Sequence, residues 1–402
     1  METQKREKKK KKKKISDDLR STDPIPHDLI PEILKASTVE TLARFRCVST
    51  QYASLIRSRD FMKSYLNKSS STRPKSLMFT FESKPHGKHF FFSAIQPPQQ
   101  NRGESSSSSS SVAVYHMKCH SQPYITVAPS VHGLICYGPP CKLNVYNPSI
   151  RRYMTLPKID SLRIDMYHYL GYDPSSGDYK VLCMTKGNPV GRRRGLAQEL
   201  RVLTMGRNGN SWRMIEDFPP HSPDSHEISI DGVLYYGAFL DIDPSYLGMY
   251  QAVMSFDVSS EKFHLIEIPE TAIFTKLTSY KGKLALIHSP PSTRPHTVRI
   301  ESWVLLDAKT HEWSKRVFDV DLPGAELVFR VFCLTDVGEF VLAQKSLSAE
   351  RFYVVYYDPK KNSVRRVYIE GIKELNLPLW DKDSNRCTIS IFPGQVENLM
   401  FL

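Results

Sequence analysis

The chain has 402 residues, 40% of them apolar and 24% charged, which excludes a wholly disordered polypeptide and gives a prior of two or three domains. Its 55 basic against 42 acidic residues leave a formal charge of +13. No stretch approaches the ~18 consecutive apolar residues of a membrane helix, and no signal-like apolar segment opens the sequence. The seven scattered cysteines (Cys47, Cys119, Cys136, Cys141, Cys183, Cys333 and Cys387) are therefore expected to be reduced thiols of the cytosol or nucleus.

The charge is concentrated at the start. Residues 1–14 carry nine basic and two acidic side chains, a net +7, so the remaining 388 residues hold only +6. A run such as Lys8, Lys9, Lys10, Lys11, Lys12, Lys13 and Lys14 repels itself, and residues 1–22 are expected to be a solvated tail. Its sharp reading is a nuclear-import signal, with a nucleic-acid tether less favoured; its bland reading is a solubilising tail.

Residues 23–66 read as helical. Pro26 and Pro31 sit where a first turn tolerates proline, and Leu29, Ile30, Ile33 and Leu34 then share a helical face. Ser37 and Glu40 fit a capping box for a second helix, continued by Val39, Leu42, Phe45 and Val48. Ser49 can cap a third, with Tyr52, Leu55 and Ile56 on its apolar face. Three such helices bury little, so part of their apolar surface is expected to dock another protein. Residues 67–76 read as a polar linker.

From Leu77 the chain is rich in short Val, Tyr, Phe and Ile runs punctuated by Pro, Gly, Asp and Asn, as many short strands would be. Two landmarks recur. The pairs Asn147/Tyr153, Gly206/Trp212, Asp257/Phe263, Asp307/Trp313 and Asp358/Val364 follow apolar runs, and their first members are 59, 51, 50 and 51 residues apart. Glycines preceding apolar runs, Gly133, Gly177, Gly232, Gly282 and Gly338, are 44, 55, 50 and 56 apart. A period near 50 built of short strands points to propeller blades of four strands. Five blades are marked directly. Leu77 to Phe81 and His89 to Phe92 supply a sixth, and a last strand near Thr388 to Phe392 would close the ring. A pair of β-sandwiches is the alternative. Residues 77–392 are thus one all-β domain and 393–402 a C-terminal tail. Ser105 to Ser111 is expected to project as a polar loop.

The segment Ile25-Pro26-His27-Asp28-Leu29-Ile30-Pro31-Glu32-Ile33-Leu34, with Leu42 to Ser49, Leu55-Ile56 and Phe61, resembles an F-box. The chain has Ser37-Thr38 where the family usually has Leu-Pro, Glu40 for Lys, and Tyr52 for Trp. The β zone resembles the F-box-associated interaction domain of a large plant family, through Val131-His132-Gly133-Leu134, Val145-Tyr146-Asn147-Pro148, Leu170-Gly171-Tyr172-Asp173-Pro174, Asp231-Gly232-Val233-Leu234 and Tyr280-Lys281-Gly282-Lys283. The fold class implied is α+β and multidomain: a small three-helix F-box, then a β-propeller-like domain of about six blades.

The resemblance implies a non-catalytic substrate adaptor. Pro26, Leu29, Ile30, Ile33, Leu42, Val48, Tyr52 and Ile56 would bind a Skp1-like adaptor, and through it a cullin and a RING protein. The β domain would hold an unknown target in the nucleus or cytoplasm. A propeller lectin or enzyme and a nucleic-acid-tethered protein are the competing readings. His116, Cys119, His120, Cys136 and Cys141 lack paired metal-ligand spacing, so neither metal nor cofactor is expected. The insertions Gly187 to Gly195, with Arg192, Arg193 and Arg194, and Ser289 to Pro295 interrupt the repeat and are the candidate target loops, with tolerated surface insertions as the bland alternative. The arginines would suit an acidic or phosphorylated group.

Overall fold

The structure, a computed structural model, describes residues 25–83, 86–96, 109–120, 129–139, 142–159, 166–187, 196–206, 211–240, 250–272, 276–322, 329–344, 352–372 and 387–401. The chain divides into two compact units, Met1–Ser64 and Tyr65–Leu402.

The first unit is helical. Helices α1 (Leu29–Ala36), α2 (Val39–Val48) and α3 (Thr50–Arg57) follow one another closely, and α4 (Arg59–Thr72) continues past the division at Ser64. The α1 entry is a turn in which Leu29 N–H donates to the Pro26 carbonyl at 3.0 Å. The expected box on Ser37 does not form. Ser37 Oγ donates back to the Ile33 carbonyl, and Thr38 caps α2 by accepting from Thr41 N–H. Glu40 then lies in the first turn, where a carboxylate complements the helix dipole. Ser49 caps α3 as its sequence suggests, accepting from Gln51 N–H at 3.2 Å.

The expected linker over 67–76 is instead helix to Thr72. Tyr65, Leu66 and Ser69 repeat at helical spacing and are buried. Tyr65 donates its hydroxyl proton to Glu397 at 2.9 Å, Arg73 pairs with the same carboxylate, and Ser69 Oγ accepts from Glu397 N–H. The polar composition misled because the few inward positions carry the burial.

The second unit is a six-bladed propeller. Blade one uses β1 (Ser76–Ser83), β2 (Lys88–Ile95) and, after the short β3 (Ser109–Val112), β4 (Val114–His120). Blade two holds β5 (Ile135–Tyr137), β6 (Asn144–Asn147) and β7 (Arg152–Thr155). Blade three is β8 (Met166–Asp173), β9 (Asp178–Lys186), β10 (Ala197–Thr204) and β11 (Arg213–Ile215). Blade four is β12 (Ser222–Ile230), β13 (Val233–Leu240), β14 (Tyr250–Asp257) and β15 (Phe263–Glu267). Blade five is β16 (Lys276–Tyr280), β17 (Lys283–His288), β18 (Thr297–Asp307) and β19 (Glu312–Asp321). Blade six is β20 (Phe329–Leu334), β21 (Phe340–Gln344), β22 (Tyr353–Asp358) and β23 (Ser363–Glu370). Last comes β24 (Cys387–Gln395), which returns to blade one as its innermost strand beside β1. Inner strands of successive blades lie against one another: β5 with β8, β8 with β12, β12 with β16, β16 with β20 and β20 with β24. Six separate sheets exclude the paired-sandwich alternative.

Each sheet is covered on both faces by its neighbours, so many strands are continuous apolar runs rather than alternating ones. Phe79, Phe81 and Phe92 of blade one pack with Phe352 of blade six, ring centroids 5.4–5.9 Å apart.

Both sequence landmarks are turns. Gly177, Gly232, Gly282 and Gly338 lie at the turn between the first and second strand of their blades, and Gly133 lies in the turn just ahead of β5; Asp257, Asp307 and Asp358 end the third strand of their blades, and Asn147 ends β6. Asp257, Asp307 and Asp358 accept from backbone N–H groups two or three residues ahead at 2.6–2.9 Å, which holds the turn to the fourth strand. Asn147 does the same for Ser149 N–H at 3.0 Å. Trp212 and Trp313 donate their indole N–H to Pro157 and Glu267 carbonyls at 2.8 Å, tying each blade to the one before it.

Two further expectations are corrected. The expected tail over 393–402 is, in its described part 393–401, no tail: Val396, Asn398 and Leu399 are buried, and Asn398 Nδ2 donates to the His132 carbonyl at 2.6 Å. The serine run does not simply project. Its described part, Ser109 to Ser111, belongs to β3, which pairs in parallel with the outer edge strand β23. That connection from blade one covers the exposed backbone edge of blade six.

Candidate functional site

The eight candidate docking residues fall into three environments. Pro26, Leu29, Ile33 and Val48 are exposed; Val48 retains 75% of its accessible surface, Leu29 48% and Ile33 47%. Leu29 and Ile33 are four residues apart in α1 and so share a face. Ile30 and Tyr52 are half-buried, and Tyr52 sets its ring edge-on to Phe45 at 5.8 Å. Leu42 and Ile56 are fully buried, as are Leu34, Val39 and Phe61. These two cannot meet a partner without opening the helices, so their role is to hold the bundle together. The family pattern mixes face and core because both need apolar residues. Ile25, outside the candidate set, is exposed as well.

Exposed aliphatic side chains in a small helical unit leave roughly 25 cal/mol per Å² of apolar surface unused in water. The face of Leu29 and Ile33 is suited to helix-in-groove or helix-on-helix docking. An ion pair between Lys35 and Glu32 borders it in sequence.

On the propeller, the first-to-second and third-to-fourth turns of blades three to six emerge on one face, and the second-to-third connections on the other. The two candidate target loops are both second-to-third connections, of blades three and five, so the strand ends that flank them lie on the same face. Arg192, Arg193 and Arg194 lie outside the described residues, as do Lys8 to Lys14. The flanks of the arginine loop are paired, Lys186 with Ala197, and Gly187 N–H donates to the Leu196 carbonyl at 2.8 Å. Ser289 to Pro295 is exposed or half-buried, and Ser292 Oγ holds its bend by accepting from Arg294 N–H at 3.1 Å.

Several charges of the opposite, turn-bearing face are committed between strands. Lys180 of blade three donates to Glu261 of blade four at 2.7 Å and to the Val258 carbonyl at 2.6 Å, and Arg213 reaches the same carboxylate. Burial alone would raise the Glu261 pKa, but these cations outweigh it and hold the carboxyl below its usual range. Arg365 forks onto Glu339 at 2.9 and 3.3 Å. Among the described residues no three His, Cys, Asp or Glu side chains form a group that could hold a metal. His116 Nε2 pairs with Ser93 Oγ at 2.8 Å, and Cys136 is a core residue.

A model of the F-box-associated β-propeller domain matches residues 76–396, nearly the whole second unit. The chain belongs to the F-box-associated β-propeller family. Its relatives include an F-box protein of Arabidopsis thaliana that is 51% identical over 97% of this chain and 98% of its own length. A putative F-box protein of the same plant is 44% identical over 95% and 89%. The F-box protein DOR is 36% identical over 87% and 89%. The first two matches are long enough to include the helices as well as the propeller. Over nearly its whole length this family member is thus similar to proteins named for the F-box.

Proposed function

We propose that this protein is the target-recognition subunit of a Skp1–cullin–F-box ubiquitin ligase. The observation that carries the reading is the exposed aliphatic set Leu29, Ile33 and Val48 in a small helical unit ahead of an F-box-associated propeller. In this reading the helices hold a Skp1-like adaptor, which connects them to a cullin and a RING protein. The propeller holds a protein target through the loops of one face. The chain itself makes and breaks no bond. It brings a target lysine to the ubiquitin thioester on a partner enzyme, and the gain is effective concentration.

Co-purification of the full chain from plant cells tests the reading. An adaptor, a cullin and a RING protein should accompany it, and a target should accumulate on it when the proteasome is inhibited. Recovery of the chain without an adaptor would overturn the assignment. The basic run Lys8 to Lys14 is proposed to direct nuclear import. A fluorescent reporter carrying residues 1–14 should concentrate in the nucleus, and an even distribution would leave only the solubilising role.

A further inference from the structure

The mouth of the propeller's central channel, on the turn-bearing face, holds a cavity of about 280 Å³. Apolar side chains from several blades line it, among them Val131, Ile228, Leu277, Ile391 and Phe392. A lysine ammonium lies among them. Lys276, the first residue of the inner strand β16, places its ammonium 5.3 Å from the centre of the Phe332 ring and 5.7 Å from that of Phe392.

Among the described residues no carboxylate pairs with Lys276. The side chain is half-buried, and the burial of its ammonium depresses its pKa. The neighbouring Cys333 does not supply an anion, because burial pushes its thiol up to about 12 and keeps it protonated. Two aromatic faces compensate part of the lost hydration. Two hydroxyls add hydrogen-bonding capacity. Thr278 Oγ1 accepts from Leu334 N–H at 3.1 Å, which leaves its own proton to donate, and Ser130 Oγ is buried without a partner among the described residues.

The remaining charges narrow the ligand. Lys75 on the cavity wall is already paired with Asp336, and Asp231 is an exposed carboxylate at the rim. Among the described residues, a dianion such as phosphate would meet Lys276 as the unpaired cation, and these acids. A monoanion with an apolar body satisfies the lysine and the walls together.

We propose that this cavity is a binding site for a small organic monocarboxylate, whose carboxylate pairs with Lys276 while its apolar body fills the space between blades four, five and one. The site is separate from the helices and holds whether or not they dock an adaptor. An engineered apolar cavity of about 150 Å³ accepts a benzene ring, so this larger one has room for a ring and a short acid arm. The same carboxylate chemistry could come from the C-terminus of a bound polypeptide, and the test separates the two.

Calorimetry of the full chain with 3-phenylpropanoate, with its uncharged amide, with inorganic phosphate and with a tripeptide ending in Phe provides the test. The expected result is measurable binding of the free acid, at least tenfold weaker binding of the amide, and none of phosphate. Lys276→Met, which preserves the side-chain volume, should weaken the acid at least tenfold and leave the amide unchanged. Tighter binding of the tripeptide than of the free acid would overturn the small-molecule assignment in favour of a chain terminus. Equal binding of acid and amide by the unmutated protein would overturn the role of charge without recourse to any variant, and so would failure of the acid to bind.

Discussion

The Asn147 side-chain amide donates to the Asn398 carbonyl at 3.0 Å and to the Met400 carbonyl at 2.8 Å, which fastens blade two to the end of the chain. The same side chain accepts from Ser149 N–H through Oδ1. It thus performs the turn function that aspartates perform in blades four, five and six, and adds a donor that a carboxylate lacks. Asn398 returns the contact through His132 and the Tyr179 hydroxyl, at 2.6 and 2.7 Å. The nearby Gly133 has φ +87°, and a Cβ there would stand 2.5 Å from the Val396 carbonyl oxygen, so the close approach requires glycine.

Asn147→Asp keeps the turn but sets a buried carboxylate against two carbonyls. Loss of two buried hydrogen bonds should cost about 2–4 kcal/mol in urea unfolding. Asp307→Asn is the control. Its carboxyl only accepts, from Lys309 N–H at 2.7 Å, and the change should be near neutral. Equal effects of the two substitutions would show that the amide donor is dispensable.

The second half of α4 belongs to the propeller unit. A chain beginning at Leu77 loses the buried Tyr65 and Leu66 and leaves Glu397 without Tyr65, Arg73 and Ser69. Burial of two large side chains is worth roughly 1.5–3 kcal/mol each. Residues 59–402 should therefore melt several degrees above residues 77–402 in a calorimetric scan. Coincident transitions would show that α4 contributes nothing to the propeller.

Glu227 on the inner strand β12 is buried, and its Oε1 finds no hydrogen-bond partner among the described residues. Burial raises its pKa well above 4.5, outweighing the hydrogen bond from Leu170 N–H. A raised folded-state pKa contributes stability that is full below the unfolded value and is lost as pH rises toward the folded one. Glu227→Gln removes that titration. The variant should gain on the unmodified protein as pH rises above about 4.5, by up to about 1.4 kcal/mol per pH unit. Parallel stability curves from pH 5 to 7 would show that the carboxyl is not held neutral.

Much of the propeller is legible in the sequence because its turns are local. A left-handed glycine and a backbone-capping Asp leave a period that needs no knowledge of the third dimension. Five of the six blades follow from the same marks, and the apolar runs near Phe79, Phe91 and Ile391 give the sixth and its closing strand, although blade two has three strands and not the expected four. The misreadings share a different cause. The Ser109–Val112 strand pairs through backbone alone, so its side chains carry no signal. Ser69 and Asn398 look like linker and tail residues until the ring brings their partners within reach. At the candidate docking site, Leu29 and Leu42 carry the same side chain in one family pattern, yet one is exposed and the other is core. Lys276 could not be singled out, because its significance depends on rings contributed by blades six and one.

The affinity of the purified full chain for purified Skp1, with and without Leu29→Ala and Ile33→Ala, tests the central claim most directly. Both side chains are about half exposed, so their truncation leaves the bundle core intact, which circular dichroism should verify. Interface anchors typically cost about 1–2 kcal/mol or more each, so the doubly substituted chain should bind roughly 30-fold to 1,000-fold more weakly. Val337→Ala, an exposed apolar change on the propeller, is the control and should leave the affinity unaltered. Undiminished binding by the folded double variant, or no binding by the unmodified chain, would contradict the account.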